Sequence, residues 1–188
     1  MTDDHSFAMR IAFVCNEYPP MPHGGIGTFV QQLGRSLVDA GHQVFVFGIG
    51  PVAEVRFDGP IRVAIIAHRE IPRVSWIAKR LQFWLFVRHQ VRCHQIDLVE
   101  TTDFLGLLPL DVGCAMVVRL HLTATSMAIQ KKVRPGPSNR LFEGLQLRVH
   151  GNWLALSRYA LNLTLETFPG VKPKRSEVIG PAVTSPAL

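Results

Sequence analysis

The sequence predicts an α/β fold: a single domain built on a doubly wound, mainly parallel sheet. Three observations predict it. Short apolar, β-rich runs alternate along the chain with segments of helical period. A glycine-rich stretch stands between the first such run and the first helix. The length, 188 residues of which 47% are hydrophobic and 18% charged, suits one sizeable core and is far from a disordered composition.

The elements follow in order. After a leader, residues 1–9, the run Arg10-Ile-Ala-Phe-Val-Cys15 is too short for a helix and suits a strand buried on both faces. Pro19 and Pro20 forbid a continuing ladder. His23-Gly24-Gly25-Ile26-Gly27-Thr28 leads into a helical pattern of Phe29, Val30, Leu33, Leu37 and Val38, with Gly41 as its stop. Val44 to Phe47 completes a βαβ unit. Further strands are expected at Ile61–Ala67, Ile96–Thr101, Cys114–Leu120, Trp153–Ser157 and Ser176–Ile179. Helices are expected at Val74–Cys93, Phe104–Leu108, Asn139–His150 and Tyr159–Phe168. The domain is read as residues 10–180, with 181–188 as a tail.

Composition excludes several classes. No apolar run reaches bilayer length; the nearest, Phe104 to Val118, is broken by Pro109 and carries Asp111. The acidic, polar N-terminus is the opposite of a secretory leader. Cys15, Cys93 and Cys114 are odd in number and far apart, so they read as reduced thiols of a cytoplasmic protein. No His or Cys pair has metal-ligand spacing, so no metal is expected. Twenty Lys and Arg against fourteen Asp and Glu leave +6, which favours anionic partners. No nucleic-acid-binding signature accompanies that charge, and nucleic acid is rejected as a partner.

Ligands of such sheets bind outside the carboxyl ends of the strands. Gly24, Gly25 and Gly27 stand there, where glycine lets an anion approach the main chain and a helix start offers N–H donors. The dinucleotide fingerprint fails, because Val30 replaces the third small residue and Phe47-Gly48 offers no ribose carboxylate. That disfavours a nicotinamide-cofactor oxidoreductase. The P-loop ending is also missing. A phosphate cradle and an unliganded tight turn are equally good readings of the glycines alone.

His121 follows the strand Cys114–Leu120 at the same edge, where an imidazole can donate a hydrogen bond or stabilise developing charge. Capping of the following turn is the competing reading. His42, His68, His89, His94 and His150 read as helix-end or surface residues, whereas His23 adjoins the glycines. Glu100 and Asp103 end another strand, with Glu17 and Tyr18 after the first. Such carboxylates can bind the hydroxyls of a polyhydroxy ligand, and helix capping by Asp103 explains it equally well. No serine stands in a nucleophile elbow. The helix holding Arg73, Lys79, Arg80, Arg88 and Arg92 also holds Trp76, Phe83, Trp84 and Phe86. Ile77, Leu81, Trp84 and Leu85 make an apolar stripe suited to the core, with Phe83 and Phe86 off it. A basic, aromatic-rich helix can also lie on an anionic membrane; packing on the sheet with solvated arginines is the simpler reading.

These motifs together resemble a family. Arg10-Ile-Ala-Phe-Val, Tyr18-Pro-Pro, Gly24-Gly25-Ile-Gly27-Thr and Leu-Val-Asp-Ala-Gly41-His42-Gln-Val are similar to the opening of family 4 glycosyltransferases. Asp97-Leu-Val-Glu100-Thr-Thr-Asp103-Phe, Val118-Arg119-Leu120-His121, Ala155-Leu-Ser157-Arg158-Tyr159 and Val178-Ile179-Gly180-Pro-Ala-Val183 continue the likeness.

The resemblance implies the N-terminal, Rossmann-like half of a retaining GT-B enzyme. It implies Gly24, Gly25 and Gly27 at the donor diphosphate and His121 beside the transferred sugar as the catalytic residue. Glu17, Tyr18, His23 and Asp103 become candidates for the acceptor. The partners implied are a nucleotide sugar as co-substrate, a carbohydrate or lipid-linked acceptor, and a C-terminal donor domain or separate subunit. No metal or cofactor is implied. The expected product is a bacterial-type glycan or glycolipid, made in the cytoplasm, with peripheral contact on the inner membrane face through the 73–92 helix. The family's nucleotide-binding domain has no counterpart in the chain, so no turnover is expected from it alone. A non-catalytic domain that docks a separate subunit is the rival reading.

Overall fold

The structure, a computed structural model, describes residues 8–22, 24–68 and 75–180. Its elements are β1 (Arg10–Val14), α1 (Gly25–Asp39), β2 (Gln43–Gly50), β3 (Glu54–Asp58), β4 (Ile61–Ala67), α2 (Ser75–His94) and β5 (Leu98–Thr102). A 3-10 turn, Phe104–Gly106, precedes β6 (Ala115–Leu120), α3 (Ala124–Gln130), α4 (Pro137–Val149), β7 (Asn152–Ala155), α5 (Arg158–Thr167) and β8 (Arg175–Val178). They form one eight-stranded sheet in the order β3-β4-β2-β1-β5-β6-β7-β8. Only β3 runs antiparallel; every other pairing is parallel. The chain starts at β1, builds outward through β2 and β4, then crosses back to β5 on the other side. That reversal puts the switch point between β1 and β5.

Both faces of the sheet are covered, which is why β1 and β2 read as continuous apolar runs. Ile11, Phe13, Val44 and Val46 pack with Val30 of α1 on one face. Ala12, Val14, Phe45 and Phe47 pack with Phe83, Val87 and Val91 of α2 on the other. A third cluster joins Val118, Leu120 and Trp153 to Leu147 of α4 and Phe168. Gly41, at φ +89°, ends α1 as expected, and the N–H groups of Gly41 and His42 close on the carbonyls of Val38 and Leu37.

The structure departs from the sequence reading in five places. The core face of α2 is reversed. Phe83, Val87 and Val91 point inward, while Ile77, Leu81 and Leu85 are exposed at 45%, 49% and 53%. The cause is that the apolar residues of α2 are spread around the helix among its polar ones, so periodicity does not choose its face. Arg80 turns inward with them, its guanidinium donating to the carbonyls of Gly106, Leu105 and Trp76. Two elements were not anticipated. β3 is a five-residue edge strand closed on β4 through Gly59-Pro60, with Gly59 at φ +57°, and the alternation Glu-Val-Arg-Phe-Asp carried its signal. α3 is only seven residues long and is capped by Thr123, whose Oγ1 accepts from the Ser126 N–H at 2.9 Å.

The first helix begins at Gly25 rather than beyond the glycines, so Gly25 and Gly27 lie inside it and Gly24 is its N-cap. None of the three has positive φ. Finally, His150 is not a surface residue: it is buried, with Nε2 2.9 Å from the Leu108 carbonyl.

Candidate functional site

A cavity of about 590 Å³ opens at the switch point. It runs along the carboxyl ends of four adjacent strands: Val14 to Glu17 after β1, Thr102 to Leu107 after β5, His121 and Leu122 after β6, and Leu156 after β7. Gly25, Ile26 and Phe29 from the first turns of α1 form its remaining wall.

His121 is the polar residue held most deliberately. Its backbone N–H donates to Asp103 Oδ1 at 3.0 Å. Its ring meets that of Phe29 edge-on, with centroids 5.6 Å apart. Its Nε2 is buried and has no hydrogen-bond partner, a costly state for a core residue and an ordinary one for a residue awaiting a ligand. Burial first, and the Arg119 cation second, push the imidazole down to about 4. It is therefore a neutral ring at physiological pH.

Behind it stands a charged column. Arg119 Nε and Nη2 donate to Glu100 Oε1 and Oε2 at 2.5 and 2.8 Å, and both residues are buried. The Arg119 guanidinium lies 4.9 Å from the centroid of Phe29, so Phe29 contacts both Arg119 and His121.

Two side chains of α4 hold the loops. Glu143 is fully buried; Oε1 accepts from the N–H groups of Leu105 and Ala124 at 3.0 and 2.8 Å, and Oε2 from Thr125 at 3.1 Å. Gln146, also fully buried, accepts from the Leu108 N–H and donates to the Thr102 carbonyl. Between them Gly106 sits at φ +55°, where a Cβ would fall 2.3 Å from the carbonyl carbon of Phe142. Only glycine fits there.

The residues singled out from the sequence separate into groups. His121, Glu17 and Gly25 line the cavity. Gly24 adjoins it, its N–H donating to Glu17 Oε2 at 3.2 Å; Gly27 is buried within α1. Tyr18 is fully buried and its hydroxyl donates to Asp58 Oδ2 at 2.8 Å, which ties the loop after β1 to the end of β3. Asp103 is also fully buried and makes no helix cap; it braces His121. Glu100 turns inward onto Arg119 rather than toward a ligand. His23 lies outside the described residues. Cys15 borders the cavity, and burial pushes its thiol up to about 11, so it stays neutral. Among the described residues no three His, Cys, Asp or Glu gather as a metal site.

Sequence reasoning missed Phe29, Arg119 and Glu143. For Glu143 the available signal was its placement four residues before Leu147, on the helix face that the core claims.

A doubly wound sheet with a cavity at its switch point defines a Rossmann-like, ligand-binding α/β domain. The sequence pattern described as Glycosyltransferase Family 4 matches residues 23–185, and the chain belongs to that family. Its fold is the Rossmann-like half of the GT-B architecture. The sucrose-phosphate synthase of Thermosynechococcus elongatus is similar to it, with TM-score 0.57 and 15% identity over 90% of this chain and 87% of that one. So is the trehalose-6-phosphate protein of E. coli bound with UDP-2-fluoro glucose, with TM-score 0.58 and 14% identity over 93% of this chain and 49% of that one. A third is the catalytic domain of starch synthase IV from Arabidopsis thaliana bound to ADP and acarbose, with TM-score 0.59 and 12% identity over 94% and 52%. The chain thus spans about half the length of the latter two. At these identities the likeness is one of fold. No curated protein matches the sequence.

Proposed function

We propose that residues 10–180 are the acceptor-side domain of a retaining glycosyltransferase, which moves a sugar from a nucleotide-sugar donor to a glycan or glycolipid acceptor. The observation that carries this is His121. In a chain of this family, an unpartnered, buried imidazole nitrogen is braced through Asp103 beside a cavity at the switch point. The neutral ring offers a hydrogen bond to the sugar being transferred and adds no positive charge where an oxocarbenium-like centre develops.

The donor diphosphate is assigned to the start of α1. Gly25 is exposed there and a Cβ on it would meet nothing within 4 Å, so the first turn is open to a bulky anion. The Glu17 carboxylate on the Gly24 N–H is then the group an incoming phosphate displaces. Retention is proposed to follow from front-face attack assisted by the departing phosphate, with no enzymic nucleophile, resident metal or cofactor. The nucleoside is assigned to a donor-binding lobe, in the same polypeptide or in a separate subunit.

Peripheral membrane contact belongs to the same reading, now through different residues of α2. Ile77, Leu81 and Leu85 form an exposed stripe beside Lys79, Arg88 and Arg92, on a helix with no Asp or Glu. Val55 and Phe57 of β3, both exposed, stand opposite Ala64 and Arg62 and so share the side of the sheet that α2 covers. Apolar residues ringed by cations suit an anionic bilayer surface at the cytoplasmic face.

The test is nucleoside diphosphate release with a panel of nucleotide sugars and acceptors. We expect none from the 188-residue chain alone. In the enzyme carrying a donor lobe, His121→Ala is expected to lower kcat by about 100-fold or more. A near wild-type rate in that variant would remove His121 from the mechanism.

A further inference from the structure

We propose that the cavity beside His121 binds an apolar aglycone, so that the acceptor is a glycoside or lipid-linked sugar rather than a free sugar. This rests on the acceptor-side reading above and names the class of acceptor.

The walls carry the inference. Ile26 and Phe29 of α1, Leu105 after β5, Leu122 and Met127 after β6, and Leu156 after β7 all face the space. A sugar ring buried among them would leave its hydroxyls without partners, which is costly, whereas a methylene chain or an aromatic ring gains from the same contacts. The polar groups on the lining are few and mostly engaged. Asn16 Oδ1 accepts from the Ile49 N–H at 3.1 Å, Glu17 accepts from Gly24, and the Thr102 carbonyl accepts from Gln146. The His121 nitrogen stands out as the polar atom without a partner. With that nitrogen serving the transferred sugar, the extended apolar wall beside it fits the apolar end of an acceptor whose sugar end meets the same centre.

The dimensions agree. At about 4.8 Å between neighbouring strands, the span from β1 to β7 is roughly 14 Å. That exceeds a single sugar ring and leaves room for what the ring is attached to. The lining is also held firmly, since Leu105 is fixed by Glu143 and Arg80 and the loop after β6 by Glu143.

The experiment titrates the 188-residue chain by two-dimensional NMR with three β-D-glucopyranosides that share one sugar: methyl, phenyl and n-octyl, the last kept below its micelle concentration. At least tenfold tighter binding of the phenyl or the octyl glucoside than of the methyl glucoside is expected. A gain confined to phenyl identifies an aromatic aglycone, and a gain with octyl an alkyl one; both support the proposal. Leu122→Asp and Met127→Glu, made separately and checked for folding by circular dichroism, are each expected to abolish the gain. Equal affinity for all three, no measurable binding of any, or a gain that survives in both folded variants overturns it; the last result assigns the chain contact to an outer surface such as α2. Because the readout is binding, it is independent of sugar transfer. No aglycone gain in the chain, with transfer to free sugars by the enzyme carrying a donor lobe, retires this proposal and leaves the glycosyltransferase reading intact; an aglycone gain in the chain, with no transfer to any acceptor by that enzyme, counts against the glycosyltransferase reading instead.

Discussion

Asp103 Oδ1 accepts the backbone N–H of His121 at 3.0 Å, and so clips the end of β5 to the end of β6 beneath the cavity. The carboxyl is fully buried, with its second oxygen unpartnered. Burial raises its pKa to about 7, with the nearby Glu143 carboxylate adding to the rise and the His121 N–H opposing it.

Between pH 4 and 7 the folded protein therefore keeps a proton on Asp103 that the unfolded chain releases, so this group makes stability fall as pH rises. His121 acts in the opposite sense. Its pKa is depressed to about 4, so the unfolded chain binds more protons between pH 4 and 6.5, and stability rises with pH there. Asp103→Asn keeps the acceptor oxygen and removes only the first effect. The Tm of the variant minus that of the parent is expected to grow from pH 4 to pH 8, by on the order of 5 °C. Differential scanning calorimetry across that range checks it, and a flat difference contradicts a titrating Asp103.

Two glycines give opposite expectations. Gly106→Ala demands positive φ from a residue whose Cβ meets the Phe142 backbone, and should cost about 3 kcal/mol or more. Gly25→Ala lies in an exposed first turn with space around it. It should raise stability by about 0.5–1 kcal/mol while weakening donor binding if the diphosphate sits where we propose. Urea denaturation measures the stability changes, and the KM for the nucleotide sugar measures the loss of binding.

Glu143→Gln replaces one accepting oxygen by an NH2 group facing N–H donors. With three backbone N–H groups on one buried carboxylate, a loss of about 2–3 kcal/mol is expected. The effect should be local before it is global. Hydrogen exchange at Leu105, Ala124 and Thr125 should accelerate ahead of exchange at β1 and β2, and uniform acceleration would count against a bracing role.

On α2, the double substitution Leu81→Ser, Leu85→Ser changes only exposed side chains. Its Tm should stay within about 2 °C of the parent, while co-sedimentation with phosphatidylglycerol vesicles should drop several-fold. Unchanged sedimentation would show that this stripe is not the membrane contact. Phosphatidylcholine vesicles should bind weakly in either case, because the attraction depends on anionic headgroups.

Much of the fold was legible in local signals. The runs 11–14 and 63–67 are apolar without interruption because both faces of the sheet are covered, and Gly41 ends α1 with the positive φ that only a terminal residue needs. His121 could be placed beside the cavity because a residue just after a parallel strand must lie at the carboxyl edge. Asp103 occupies the equivalent position after β5 and nonetheless turns into the protein, as does Tyr18 farther along the loop after β1, since position along a strand end does not say which way a side chain points.

The sequence by itself determined the alternation of strands and helices, apart from β3 and α3, and the family. The alternation depends on periodicity and turn chemistry, which are properties of neighbouring residues, and the family on the order of motifs along the chain. Only the tertiary structure decided which side of α2 is core, that Glu100 belongs to Arg119, and that Glu143 braces two loops. A helix whose apolar residues are spread over every side has no preferred face until a partner surface claims one. A buried charge is tolerated only where its counter-charge or its donors arrive from distant parts of the chain.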